Sequence, residues 1–327
     1  MQTSFSFSAL ELIATIGTPV EDLQAARVAE IQSLQWISPD TIVYSAKNGT
    51  VSCYNVSTQT QQWAVHTTDT ILCATAGADA VFVLNNAGTI FIYSKSNGEL
   101  QRKLAPDFFV QLSGEPFFRA INIGWIPIRN QLIISRLGLE YGDNTYILDG
   151  QNLTLVEKIK SEGDITNMTF SPNGSHVTFL SKRKNIRIWD VDKHQEVLKI
   201  GAERAVPTDA PFASNAFYDG VRLVVYSVDN GWTFGSVHVH DILVNNELAR
   251  FSSQNLHLVM DVDFTNKRIA LAGTSTELAL VDFTGNLLAK QTGVALHRTL
   301  VVRFSPDNSK IAIGNMDTTV RVFQIKE

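Results

Sequence analysis

Few side chains in this chain are of types and spacings suited to chemistry. His238 and His240 flank Val239 and precede Asp241. On an alternating strand both imidazoles share one face, a geometry that can chelate a metal. No third ligand follows at a matching spacing, so a packed strand residue is the preferred reading. Cys53 and Cys73 sit in apolar runs without the neighbouring cations that would lower a thiol's pKa, and they read as inert buried thiols. Lys182-Arg183-Lys184 is the densest basic run, either a contact for phosphate or acidic peptide or a solvated turn. Phe108 and Phe109 stand in a segment bounded by Pro106 and Pro116, and Trp232 and Phe234 stand in a Gly- and Asn-rich turn. Aromatics in such places either fold back onto the protein or serve as contact anchors.

The larger catalytic signatures are missing. There is no Gly-x-Ser-x-Gly elbow, no Gly-rich phosphate loop ending in Lys-Ser/Thr, and no Cys-x-x-Cys pair. No catalytic, cofactor-binding or metal-binding residue is therefore assigned, and a non-enzyme is expected. The 327 residues carry 27 Lys+Arg against 32 Asp+Glu, a net charge of -5. That balance argues against direct nucleic-acid binding and against a membrane-surface role. Two cysteines make no disulfide framework, so a reducing compartment is expected, the cytoplasm by default with the nucleus left open. Residues 1–16 lack a basic leader region, and no apolar run of ~18 residues exists to span a bilayer.

What must position these residues is a repeat. Phe170-Ser171-Pro172-Asn173-Gly174 is followed by Val177–Ser181 and by Ile186–Asp190; Phe304-Ser305-Pro306-Asp307-Asn308 is followed by Ile311–Gly314 and by Val320–Gln324. Apolar alternation on either side of Pro-containing turns means strands joined by tight turns. Weaker copies place a strand-ending residue at 54, 93, 148, 189, 240, 281 and 323, with separations of 39, 55, 41, 51, 41 and 42. A period of 40–45 is that of four-stranded propeller blades, and the two long intervals imply longer loops. Helical spacing is nearly absent, apart from a short patch over Val20–Ala29.

On these residues, above all the two Ser-Pro turns, Trp189-Asp190 and Asp317, the chain resembles the WD-repeat β-propeller family over essentially its whole length. The resemblance implies an all-β fold, a single seven-bladed β-propeller over 1–327 with four-stranded antiparallel blades. Residues 1–16 would be a closing strand, 17–30 a lead-in segment and 31–327 the seven repeats. The last repeat ends after its third strand, so Leu10–Ile16 is expected to pair beside Val320–Ile325 and close the ring. The family's hydrogen-bonded Trp, Ser, His and Asp set is complete in no unit. Only Trp189 fills the Trp place, so apolar packing must hold the blades, with Trp189 itself largely buried between neighbours.

The resemblance further implies a non-catalytic interaction scaffold or adaptor that binds a protein or peptide partner within a multi-protein complex. The turn between the second and third strands of a blade lies on the same face as the crossover between blades. Segments 105–117, 137–144, 201–213 and 229–236 therefore share one face across blades three to five, and the short Ser-Pro turns share the other. The partner site is expected on the loop-rich face, at Phe108, Phe109, Trp232 and Phe234, with Arg119, Arg136, Lys182 and Arg183 as polar contributors. A propeller enzyme or small-ligand binder with its site in the central channel is the alternative. A channel lined with Asp, Glu and His around a bound ion would favour the enzyme; one lined with small or apolar groups would favour the platform.

Overall fold

A computed structural model describes residues 9–105, 120–136, 142–161, 165–181, 185–200, 213–229, 235–253 and 258–326. They form seven four-stranded antiparallel sheets arranged as the blades of a ring. The innermost strands, in order, are Ile31–Ser38, Ile71–Ala76, Ala120–Ile126, Ile165–Phe170, Ala213–Tyr218, Val259–Asp263 and Thr299–Phe304. In blades one to six the strands pair in sequence order from the centre outward. In blade seven the outermost place is taken by Ala9–Ile16, which pairs antiparallel with Val320–Lys326 from Ala9↔Lys326 to Ile16↔Val320. The expected closure is thus observed, one residue longer at each strand.

The core is not one cluster but seven, one at each interface between neighbouring blades. Ile42 of blade one packs with Val301, Ala312 and Val322 of blade seven. Val43 and Val51 of blade one pack with Val81 and Phe91 of blade two. The pattern continues around the ring through blades two–three, three–four, four–five, five–six and six–seven. The reason lies in the period of two. Each strand has two faces, and in the ring both face a neighbouring blade, so apolar residues are wanted on both. Aromatics bolt the interfaces. Trp36 of blade one donates its indole N–H to Arg303 O of blade seven at 3.1 Å. Trp63 of blade one reaches Lys95 O of blade two at 2.9 Å. Trp125 of blade three stacks on Phe82 of blade two, with ring centroids 5.3 Å apart.

Trp189 packs against the cluster between blades three and four, as its place in the repeat requires, but it is half-buried rather than enclosed. Its Nε1 has no hydrogen-bond partner among the described residues. The fullest polar set is instead in blade seven. Asp317 accepts from Thr319 N–H at 3.1 Å with one oxygen and from Leu296 N–H at 2.8 Å with the other. That turn also seats the lead-in segment: Val20 N–H donates to Asp317 O at 3.0 Å, and Thr318 Oγ1 donates to Thr18 O at 3.0 Å. The helical patch is one short helix, α1 (Leu23–Val28), capped by Asp22 and laid between the closing strand and blade one.

The strand-ending positions mark a shared irregularity. Pairing of the third and fourth strands shifts register at Cys53/Tyr54, Ile92/Tyr93, Ile147/Leu148, Ile188/Trp189, Val239/His240 and Leu280/Val281. In blade seven the shift falls opposite Phe323, at Leu12/Ala14. An extra residue thus bulges from the outer strand at the same level of every blade. Bulges sharpen twist and spoil an exposed strand edge for pairing with other chains.

Candidate functional site

One face of the ring is made of tight, internally satisfied turns. In blade four Ser171 Oγ donates to Asn173 Oδ1 at 2.8 Å and accepts from His176 N–H at 3.0 Å. In blade seven Ser305 and Asp307 repeat the arrangement at 2.6 Å, with Lys310 N–H on Ser305 Oγ at 2.9 Å. The fourth turn residue has positive φ in both, +70° at Gly174 and 59° at Asn308, and Gly and Asn are the residues that tolerate it. The turns between third and fourth strands are closed by a carboxylate. Asp149 accepts from Gln151 and Asn152 N–H, Asp190 from Asp192 and Lys193 N–H, and Asp282 from Thr284 and Asn286 N–H, all at 2.8–3.0 Å. Ion pairs tie neighbouring turns together, Arg129 with Asp192 at 2.8 Å and Lys310 with Asp40 at 3.2 Å.

The other face carries the blade crossovers and the turns between second and third strands. In blades three to five the strands bordering 105–117, 137–144, 201–213 and 229–236 all end there, as antiparallel order demands. Phe108, Phe109, Arg119, Lys182, Arg183, Trp232 and Phe234 lie outside the described residues. Of Arg136 the backbone is described: it ends the strand Gln131–Arg136 on this face.

The other candidates are structural. His238 is buried, stacked on Tyr226 at 4.8 Å, and bonded to Ser236 at 2.8 Å and Glu247 at 2.7 Å. Burial lowers its pKa against the pull of Glu247, so a neutral ring is favoured. No group of three or more His, Cys, Asp or Glu among the described residues could hold a metal. Both cysteines are free and buried. Burial pushes the Cys53 thiol up to about 11 and the Cys73 thiol to about 12, so neither is a nucleophile near neutral pH.

The innermost strands leave their unpaired edges facing the central channel, and side chains of one blade cap main-chain groups of the next. Ser33 Oγ and Gln35 Oε1 of blade one accept from Ala74 and Ala76 N–H of blade two at 3.1 and 2.7 Å. Asn215 of blade five donates to Leu258 O, at the entry to blade six, at 2.9 Å. Asp261 Oδ2 of blade six accepts from Phe304 N–H of blade seven at 2.7 Å. Between these strands lies a cavity of about 700 Å³. Pro172, Thr265, Pro306 and Asn308, all from first turns, rim it on the tight-turn face, and it extends along the inner strands to Gln32, Leu72, Asn122 and Asn167 near their other ends. Its walls mix apolar and aromatic groups with amides, hydroxyls and three charged side chains, Asp261, Asp263 and Arg303, and among the described residues they include no Glu or His. Of its two carboxylates, Asp263 is held by Arg268, with N–O distances of 3.0 and 2.8 Å. Sequence pattern alone did not find these residues, because which inner-strand residues meet in the channel depends on pairings between distant repeats. The one local signal is Asp261 and Asp263 at alternate positions of an otherwise apolar strand.

Comparison with known proteins agrees with this geometry. Residues 153–190 and 292–324 match the family model for the WD domain, G-beta repeat. The first match runs from the outer strand of blade three to the third strand of blade four; the second begins at Thr292, the last residue of blade six's outer strand, and ends in the third strand of blade seven. The chain is also 24% identical over 195 residues, 55% of its length, to Pre-mRNA-processing factor 19 of Oryza sativa subsp. japonica. That alignment covers 34% of the relative, about a third of its length. Two repeats matched by the family model and seven four-stranded blades closed by the N-terminal strand together support a WD-repeat β-propeller.

Proposed function

We propose that this propeller is a non-catalytic interaction module that docks a protein or peptide partner on its loop-rich face within a multi-protein complex. Phe108, Phe109, Trp232 and Phe234 would be the apolar anchors, and Arg119, Arg136, Lys182 and Arg183 the polar contributors. The observation that carries the reading is the asymmetry of the ring. The long connections of blades three to five all leave from one face, whereas the opposite face consists of short turns whose polar groups bond among themselves. Loops on a rigid scaffold can vary without disturbing the core, and aromatic and Arg side chains are the usual interface anchors. The likeness to a pre-mRNA-processing factor makes pre-mRNA processing the first process to examine, and a tagged protein will show whether nucleus or cytoplasm is the working compartment. The test is affinity capture of the native complex with Phe108→Ala and Trp232→Ala beside melting curves. Anchors lose capture by about 2 kcal/mol or more at an unchanged Tm. Packed loop residues would lower Tm and leave capture intact, which would overturn the assignment.

A further inference from the structure

Two charged side chains line the central cavity without an ion-pair partner among the described residues. Asp261 is on the inner strand of blade six and Arg303 on that of blade seven, and both line the cavity of about 700 Å³. Asp261 receives the Phe304 N–H at 2.7 Å, while Arg303 Nη1 donates to Val302 O at 2.8 Å. Neither forms an ion pair with the other or with another described residue, although Arg303 is close enough to act on the Asp261 carboxyl through space. Burial outweighs Arg303 and the main-chain N–H groups of Phe304 and Val262, so the carboxyl is held above the ordinary carboxylate range. An acid and a base that line a cleft without pairing to each other mark a candidate ligand site.

The chemistry of the occupant follows from the pair. A lone cation would meet Asp261 but face the guanidinium nearby, and a lone anion would meet Arg303 but face the carboxylate. A molecule carrying both charges satisfies both. Trp36, Trp125 and Phe170 add apolar wall, and the volume lies within the range of small-molecule pockets. We propose that the channel binds a small zwitterion, an α-amino acid with an apolar side chain, its ammonium on Asp261 and its carboxylate on Arg303. A residue inside a peptide chain carries neither terminal charge, so the ligand is the free molecule. Its Pro172, Thr265, Pro306 and Asn308 rim lies on the face opposite the proposed docking loops, and the two readings stand or fall separately.

The test is titration of the full chain, followed by NMR, with L-phenylalanine and L-leucine. Each is compared with its N-acetyl form, which lacks the ammonium, and its amide, which lacks the carboxylate. The free amino acid binds about tenfold tighter than either derivative, the effect of one charged contact. Asp261→Asn keeps an acceptor for Phe304 and abolishes the preference over the N-acetyl form. Arg303→Gln keeps a donor and abolishes the preference over the amide. Thr265→Trp, at the exposed rim, blocks entry without touching either charge and serves if a channel variant fails to fold. No shift at millimolar amino acid, equal affinity for free and blocked forms, or preferences unchanged in the variants would each overturn the proposal.

Discussion

At the scale of single residues, the ring depends on polar groups at its inner edge and on close contacts between blades. Asp261 makes a pH prediction with a definite sign. Its carboxyl is raised in the native state by burial, so the unfolded chain releases the proton first as pH rises. Stability from this group is greatest below the ordinary carboxylate value of about 4 and declines as pH climbs through the native value. Asp261→Asn should therefore melt higher than the parent near neutral pH, with the gain disappearing in acid. Urea denaturation at several pH values checks this, and a variant that is less stable at every pH would refute it. Gly124 gives a steric prediction. A Cβ there would lie 2.4 Å from the Phe170 ring of the next blade. Gly124→Ala should cost about 1–3 kcal/mol by overpacking, read from the shift in denaturation midpoint.

At the scale of elements, the blade was legible because its strands alternate and its turns carry Ser-Pro, Asp and Gly at fixed places. The strand-ending residues 54, 93, 148, 189, 240, 281 and 323 all fall on third strands, beside the shared bulge. What the sequence could not display was the bulge itself, since an extra outer-strand residue looks like ordinary spacing. Nor could it display the channel, whose lining joins strands from seven repeats. Trp189 was legible as an interface residue but not in its degree of burial, which depends on how closely the neighbouring blade approaches. The carboxylate after the strand-ending residue was visible as the Asp of Trp189-Asp190, and its role emerges only with the turn it closes. Asp282 shows that role most fully, accepting from the main chain of Thr284 and Asn286 and from both their side chains. Asp282→Ala should cost about 1–2 kcal/mol, typical for losing such a cap, in a chemical-denaturation measurement. A change within error would mean that water or neighbouring groups replace the carboxylate at no cost.

At the scale of the whole molecule, closure governs stability. Seven interface clusters arranged in a circle give every blade two neighbours, and no blade has an unpaired flank. The closing strand holds this arrangement from the outside. Leu10 belongs to the cluster between blades six and seven, and Ala14 and Ile16 to the one between blades seven and one. Removing residues 1–16 therefore strips blade seven of its outer strand, bares the edge of Val320–Lys326, and depletes two interface clusters together. The lead-in contacts at Asp317 and Thr318 would remain as the principal tether of the shortened N-terminus. A truncated chain should melt well below the full-length protein and gain an unpaired strand edge prone to association. Differential scanning calorimetry with light scattering measures both. Adding back a peptide of residues 1–16 should recover part of the lost Tm, because binding to the native state alone stabilises it by mass action. A truncated protein that melts like the parent would show that the inner strands and seven clusters hold the ring without the closing strand.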